Sequence, residues 1–227
     1  MEDFLSNIRI NINDFIYLKD PETSVLGKKI IQGSIELIDE IGFDSFNFKK
    51  LAEHIQSTEA SIYRYFENKN KILLYLTAWY WGWMESKLIL SIANIKDAEL
   101  KLEIAIGTLT EKLNEDNNFS HINEVKLQQI IYSESAKTFL NKHVDEENSK
   151  GAFKFYKLIV KRVSKVIKEI NPTFKFPNML VSTIIEGAHL QRFFGDHLPG
   201  LTNQSNEKDY IKNFYTDLAF KTIKGSK

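Results

Sequence analysis

The chain contains no cysteine. That excludes a disulfide scaffold, a thiolate zinc site, an iron–sulfur cluster and a cysteine nucleophile. Proline and glycine are also scarce, four and ten in 227 residues, which favours long helices over many short strands. No uninterrupted apolar run approaches ~18 residues, so no membrane span is expected. Met1–Phe4 is acidic and no apolar stretch follows it. No signal peptide is read there, and a cytoplasmic location is expected. Net charge is missing too: 30 basic residues balance 30 acidic ones. Residues 1–25 carry −3, residues 26–75 carry 0 and the remainder carries +3. No segment is basic enough to announce a nucleic acid by charge alone, so such a claim must rest on motif geometry.

What is present is helical periodicity. The hydrophobic fraction of 43% and charged fraction of 26% are those of a globular protein. Residues 1–19 alternate loosely through Ile8, Ile10 and Ile12, a pattern that fits a short strand or an arm. Asp20-Pro21 reads as a helix start, with Asp20 as N-cap and Pro21 at the first helical position. Leu26, Ile30, Ile31, Leu37, Ile38 and Ile41 follow at helical spacing, and Gly42 suits the C′ position. Asn47 can cap a helix whose Phe48, Leu51, Ala52 and Ile55 share one face, with Lys49, Lys50 and Glu53 on the other. Gln56-Ser57 interrupts, and Thr58 can cap a third helix to about Phe66. Further helices are expected at 71–93, 97–115, 122–141, 147–170, 177–195 and 206–223. Asn117-Asn118, Asn171-Pro172, and Pro199-Gly200 with the polar run 202–206 separate them. The expected architecture is all-α: an N-terminal extension (1–25), a three-helix unit (26–71) and a larger helical bundle (72–227).

Two short helices joined by a tight turn make a helix-turn-helix, whose second helix enters the major groove of DNA. Residues 47–66 have that form. The ordered set Gly42-Phe43, Asn47, Leu51-Ala52, Ile62-Tyr63-Arg64-Tyr65-Phe66 and Lys69 resembles the TetR family of bacterial repressors. The match spans about residues 26–75, and its Tyr-x-x-Phe-x-x-Lys spacing is its most specific part. The resemblance implies a DNA-binding unit followed by a helical domain for ligand binding and dimerisation. It implies that Tyr63 and Lys69 contact phosphates. Asn47 and Thr58, at helix N-termini, suit phosphate oxygens, with Lys49 beside them. Ser61, Arg64 and Tyr65 are expected to face outward toward base edges, with Arg64 able to read guanine in bidentate fashion.

Three residues depart from the family pattern. Gln56 stands where the turn usually has glycine, and either adopts the left-handed conformation or lengthens the turn. Ser57 replaces an apolar residue. Glu59 opens the recognition helix, where it suits the helix dipole but repels phosphate, so it must avoid the backbone or accept from cytosine N4.

In the bundle, Tyr75, Trp79, Tyr80, Trp81 and Trp83 crowd one helix, with Leu76, Trp79, Tyr80 and Trp83 on one stripe. Core packing is the expected role, and the wall of an apolar ligand pocket is the sharper alternative. The resemblance implies a ligand cavity here, for which Trp79, Trp83, Tyr132, Phe153, Tyr156, His189 and Phe193 are candidates. Residues 148–168 hold Lys150, Lys154, Lys157, Lys161, Arg162, Lys165 and Lys168 and no acid. Such a face can bind anionic lipid or nucleic acid, but a solvated face is expected. In TetR-like proteins the last two helices build a dimer interface, for which Leu180, Ile184, Gly187, Ala188, Phe214 and Leu218 are candidates.

Enzyme motifs are lacking. There is no P-loop, no Gly-x-Ser-x-Gly and no dinucleotide fingerprint, and the five histidines form no metal-binding pair. No cofactor or metal is expected. Glu186 and His189 lie three apart, but a carboxylate-bridged site needs a second such helix. The resemblance therefore implies a ligand-responsive repressor, homodimeric on a palindromic double-stranded DNA operator and released by a small apolar or amphipathic molecule. A helical binding module that has lost sequence-specific DNA binding is the alternative, and a helical enzyme around Glu186 and His189 is a third reading.

Overall fold

The computed structural model describes residues 10–113, 121–134, 136–203, 205 and 209–225. Among these the fold is all-α. Helices α1 to α4 are Val25–Ser45, Phe48–His54, Glu59–Tyr63 and Lys69–Ile92. Helices α5 to α8 are Ala98–Thr110, Glu124–Glu134, Ala136–Phe139 and Val144–Ser149. Helices α9 to α11 are Lys154–Ile170, Pro177–His197 and Tyr210–Gly225. Ile8, Asn117-Asn118 and parts of the 202–206 run lie outside the described residues.

The chain forms two compact units, residues 1–83 with 113–154, and 84–112 with 155–227. In the first, α1 packs on α2 and α6, and α2 packs on α3. Gly33 makes the approach of α2 possible: a Cβ there would run into the Ile55 side chain. Helix α4 is buried on every side from Ile72 to Trp83, so within this unit it runs through a core and does not present a stripe to it. Trp79 and Trp83 stack with centroids 6.2 Å apart, and Tyr80 meets Trp81 edge-on at 5.2 Å.

Residues 10–24 lie on the same unit as an irregular arm. Ile10, Ile12 and Ile16 are buried, and the only regular pieces are 3-10 turns at Asp14–Ile16 and Pro21–Thr23. The helix start expected at Asp20 is corrected here. Asp20 does cap Pro21–Thr23 through the Glu22 amide, but Ser24 is extended and recaps the chain through the Gly27 amide. Asn13 Nδ2 donates to the Lys150 carbonyl at 2.5 Å, fixing the arm to the α8–α9 turn. Gly151 (φ 87) breaks the helix expected over 147–170 at that turn.

The second unit consists of the end of α4 with α5, α9, α10 and α11. Helices α10 and α11 pack on each other and both pack on α5. Arg162 reaches Glu85 at 2.5 Å, Lys101 reaches Glu169 at 3.1 Å, and Arg192 donates to the Thr110 carbonyl at 2.6 Å. Among the described residues no helix is long and apolar enough to cross a membrane.

Candidate nucleic-acid interface

Helices α2 and α3 are too short to persist alone, and tertiary packing holds them. Phe48, Leu51, Ala52, Ile62 and Phe66 are buried beneath them. Their starts are fixed by side chains. Asn47 Oδ1 accepts from the Lys50 amide at 2.9 Å, and Thr58 Oγ1 accepts from the Ser61 amide at 3.2 Å. Between them, Gln56 takes the left-handed conformation that a glycine would adopt freely (φ 53). The Ser57 amide then closes the turn onto the Ala52 carbonyl at 2.8 Å. The turn closes despite the missing glycine.

This geometry sets one polar face. Asn47, Lys49, Thr58, Glu59, Tyr63 and Arg64 are exposed on it, with Ser61 half-buried and bonded to Thr58. Tyr63 is 52% exposed although its ring meets Phe48 edge-on at 4.8 Å, so its hydroxyl end is held in place by packing of the other end. Ala60 is exposed on the same face, a position that sequence reasoning passed over. Helical spacing groups it with Tyr63 and Arg64 at i, i+3 and i+4.

Two expected contact residues are corrected. Tyr65 does not face outward. It is 3% exposed, its hydroxyl pairs with Ser24 Oγ at 2.7 Å, and its carbonyl accepts from the Leu18 amide at 2.8 Å. It anchors the arm to the helix-turn-helix. Lys69 is not a free cation either. Its ammonium donates to the carbonyls of Phe43, Asp44 and Phe46 at 2.9, 3.1 and 3.1 Å, which uses all three hydrogens. It also lies 4.7 Å over the Phe43 ring. These carbonyls belong to the turn that follows the break of α1 at Gly42 (φ 74, ψ 156), and the ammonium caps that turn. It staples the start of α4 to the end of α1.

The end of α1 carries a second tie. Lys137 bridges Asp44 at 2.7 Å and Glu134 at 2.8 Å, and the Phe43 amide donates to Glu134 at 3.4 Å. Lys137 holds the exposed Asp44 carboxyl below its usual range. In the arm, burial opposes ionisation of Glu22, but His121 at 2.9 Å, with Lys28 and Tyr75, outweighs it and lowers the Glu22 pKa.

The structure places the expected pocket residues in separate units. Trp79 and Trp83 are core of the first, which also holds the half-buried Tyr132 and Phe153. Tyr156, His189 and Phe193 belong to the second. There the Tyr156 hydroxyl donates to Glu186 at 2.6 Å, and Phe193 packs on the His197 ring at 4.5 Å. Burial drives the His189 pKa down to about 3, with Arg192 adding to the effect, so this imidazole is neutral. Among the described residues no group of three or more histidines and carboxylates is placed to hold a metal ion.

The dimer candidates also divide. Leu180, Ile184 and Ala188 are buried within their own protomer, and a Cβ on Gly187 would strike the Tyr215 hydroxyl. Those four are corrected: they are inner packing of α10. Phe214 is 59% exposed and Leu218 half-buried. The apolar residues that α10 does expose are Met179 and Leu190.

Comparison with known proteins agrees with this site. Residues 30–76 match the family of bacterial regulatory proteins, tetR family. The stretch contains all of α2 and α3, so these residues are similar to the helix-turn-helix part of that family, as the sequence motif implied. No curated protein is similar enough in sequence to count as a match. Among solved structures, the fatty acid degradation regulator FadR from Bacillus halodurans superposes with a TM-score of 0.59 at 18% identity, covering 88% of this chain and 95% of that one. The superantigen PfiT gives 0.57 at 14% identity, covering 89% and 97%. AmtR from Mycobacterium smegmatis gives 0.50 at 14% identity, covering 86% and 84%. The all-α fold of these structures thus extends over most of this chain.

Proposed function

We propose that the protein is a transcriptional repressor that binds a palindromic operator as a homodimer and is released by a small apolar or amphipathic ligand. The observation that carries this reading is the outward face of α3, where Ala60, Tyr63 and Arg64 stand together on a helix-turn-helix capped by Asn47 and Thr58. Arg64 supplies a guanidinium for guanine, and the Ala60 methyl suits a thymine methyl. Asn47, Lys49, Thr58 and Tyr63 supply phosphate contacts that fix register. Glu59 meets cytosine N4 or stays clear of the strand. Residues 26–71 act as the DNA-binding part, and 72–227 as the part for ligand and partner.

Palindromic recognition needs two copies with recognition helices about 34–36 Å apart. The exposed Met179, Leu190 and Phe214, with Leu218, are the apolar surface from which such a dimer can be built. The ligand must favour one separation of the two recognition helices over another, or it shifts nothing. The protein works in the cytoplasm, where its operator is.

A second reading keeps the fold and drops sequence-specific DNA binding. Glu59 at the start of α3 and the engaged ammonium of Lys69 favour it, since both reduce the positive charge available to phosphate. The superantigen PfiT shares the fold at similar TM-score. Selection of genomic fragments by the purified protein at ~150 mM salt separates the two readings, because nonspecific phosphate binding weakens steeply with salt. Enrichment of one palindromic site is expected. Uniform recovery without a consensus favours the binding module.

A further inference from the structure

The basic stripe on α9 borders a groove, and that groove is not explained by solvation alone. It measures about 940 Å³ and lies wholly within the second unit, between the outer side of α9 and the start of α10. Its wall is apolar, formed by Val160, Pro177 and the Tyr156 ring. Its rim is cationic, formed by Lys157, Lys161, Lys165 and Lys168. The methylene stems of such lysines cover apolar surface while their heads stay in water. The one acid on the rim, Glu169, is paired with Lys101 at 3.1 Å. Lys168 gives a hydrogen bond to the Pro172 carbonyl, but Lys161 and Lys165 are exposed and make no ion pair among the described residues.

A further observation points to a ligand. Ser164 lines the groove at 7% exposure, and its hydroxyl oxygen has no hydrogen-bond partner among the described residues. A buried hydroxyl without a partner costs free energy unless something else satisfies it. Lys161 and Lys165 stand four residues apart on one helical face, so both ammoniums can meet a single anionic head, with Ser164 on its flank three residues after Lys161. The volume is that of a small-molecule site.

We propose that this groove binds a monomeric amphipathic anion: a phosphate or carboxylate head, held by Lys161, Lys165 and Ser164, on an aliphatic tail laid along Val160, Tyr156 and Pro177. The proposal deepens the reading of the protein as ligand-responsive, since it gives the effector a chemical class. Binding itself is measured without DNA, so its failure and the failure of the repressor reading are separate results.

The test is calorimetric titration of the full chain with decyl phosphate and with decanoate, both below their micelle concentrations. Saturable binding of both at one site per chain is expected. Lys161→Glu with Lys165→Glu should weaken it at least tenfold while the thermal unfolding midpoint holds. Ser164→Ala should weaken it several-fold without loss of stability, because it removes an unsatisfied hydroxyl. Inorganic phosphate and decyl maltoside should each bind far more weakly than decyl phosphate. Absence of saturable binding overturns the proposal. So does unchanged affinity in the lysine double variant, or equal affinity for inorganic phosphate. Binding only to phosphatidylglycerol vesicles overturns it in favour of a membrane surface. A changed sedimentation coefficient of the unliganded double variant overturns it in favour of a second copy of the chain in the groove.

Discussion

Tyr63 and Tyr65 stand two positions apart and carry different loads. Tyr63 is half-exposed on the outward face of α3, and Tyr65 is buried against Ser24. Tyr63→Phe removes only a hydroxyl that faces solvent. It should weaken operator binding about tenfold or more, for the about 1.5–3 kcal/mol of a hydrogen bond to a charged group, and leave thermal unfolding unchanged. Tyr65→Phe should do the reverse. It should cost about 1 kcal/mol of stability through the lost Ser24 bond and leave DNA affinity intact. Fluorescence anisotropy on an operator fragment and thermal melts of both variants separate these outcomes. The sequence held the information to tell the two apart. At about 100° per residue Tyr65 falls some 60° from the buried Ile62, whereas Ala60, Tyr63 and Arg64 cluster on the other side. Lys69 was less legible. A lysine opening a helix after this motif fits a phosphate contact by pattern, and only the fold brings three carbonyls at the end of α1 within its reach.

At the scale of elements, the caps and periodicity located nearly every helix. Asn47 and Thr58 cap where the sequence put them, and Gln56 adopts the left-handed turn that its position required. The arm was open between strand and extension because a loose alternation of isoleucines does not say what buries it. Ile10, Ile12 and Ile16 are buried in the unit that contains the helix-turn-helix, a long-range fact. The bond from Tyr156 on α9 to Glu186 on α10 was equally hidden, and it has a titratable consequence. Burial raises the Glu186 pKa, with the Tyr156 hydroxyl opposing in part. A carboxyl whose folded pKa is raised contributes stability below its unfolded pKa and loses it as pH rises from there through the folded pKa. Glu186→Gln, which keeps the acceptor for Tyr156, should therefore raise the thermal midpoint at about pH 7, and that gain should vanish near pH 3, below the ordinary carboxylate range. A variant less stable at neutral pH would contradict the assignment of burial as the governing cause.

At the scale of the whole molecule, the candidate contacts of the bundle were the least legible. Leu180, Ile184 and Ala188 have the apolar spacing of an interface, but the same spacing serves the inner face of a protomer. Periodicity identifies an apolar face without saying whether the chain or a second copy covers it. The exposed residues discriminate: Leu190→Glu with Phe214→Glu should yield a monomer by sedimentation and lower operator affinity in parallel. Leu180→Glu should instead unfold the second unit, because it buries an unpaired charge. A double variant that stays dimeric would move the interface elsewhere. The aromatic residues of α4 settle the other way, as core of the first unit enclosed on all sides between Ile72 and Trp83.

The central claim is that the outward face of α3 reads sequence in DNA. The most direct measurement is the affinity of the protein and of Arg64→Ala for the selected operator and for variants changed one base pair at a time, all at ~150 mM salt. The account predicts that Arg64→Ala costs about 1–3 kcal/mol on the intact site and erases discrimination at one guanine position, repeated symmetrically in both half-sites. Uniform weakening at every position, or no effect at all, would contradict it.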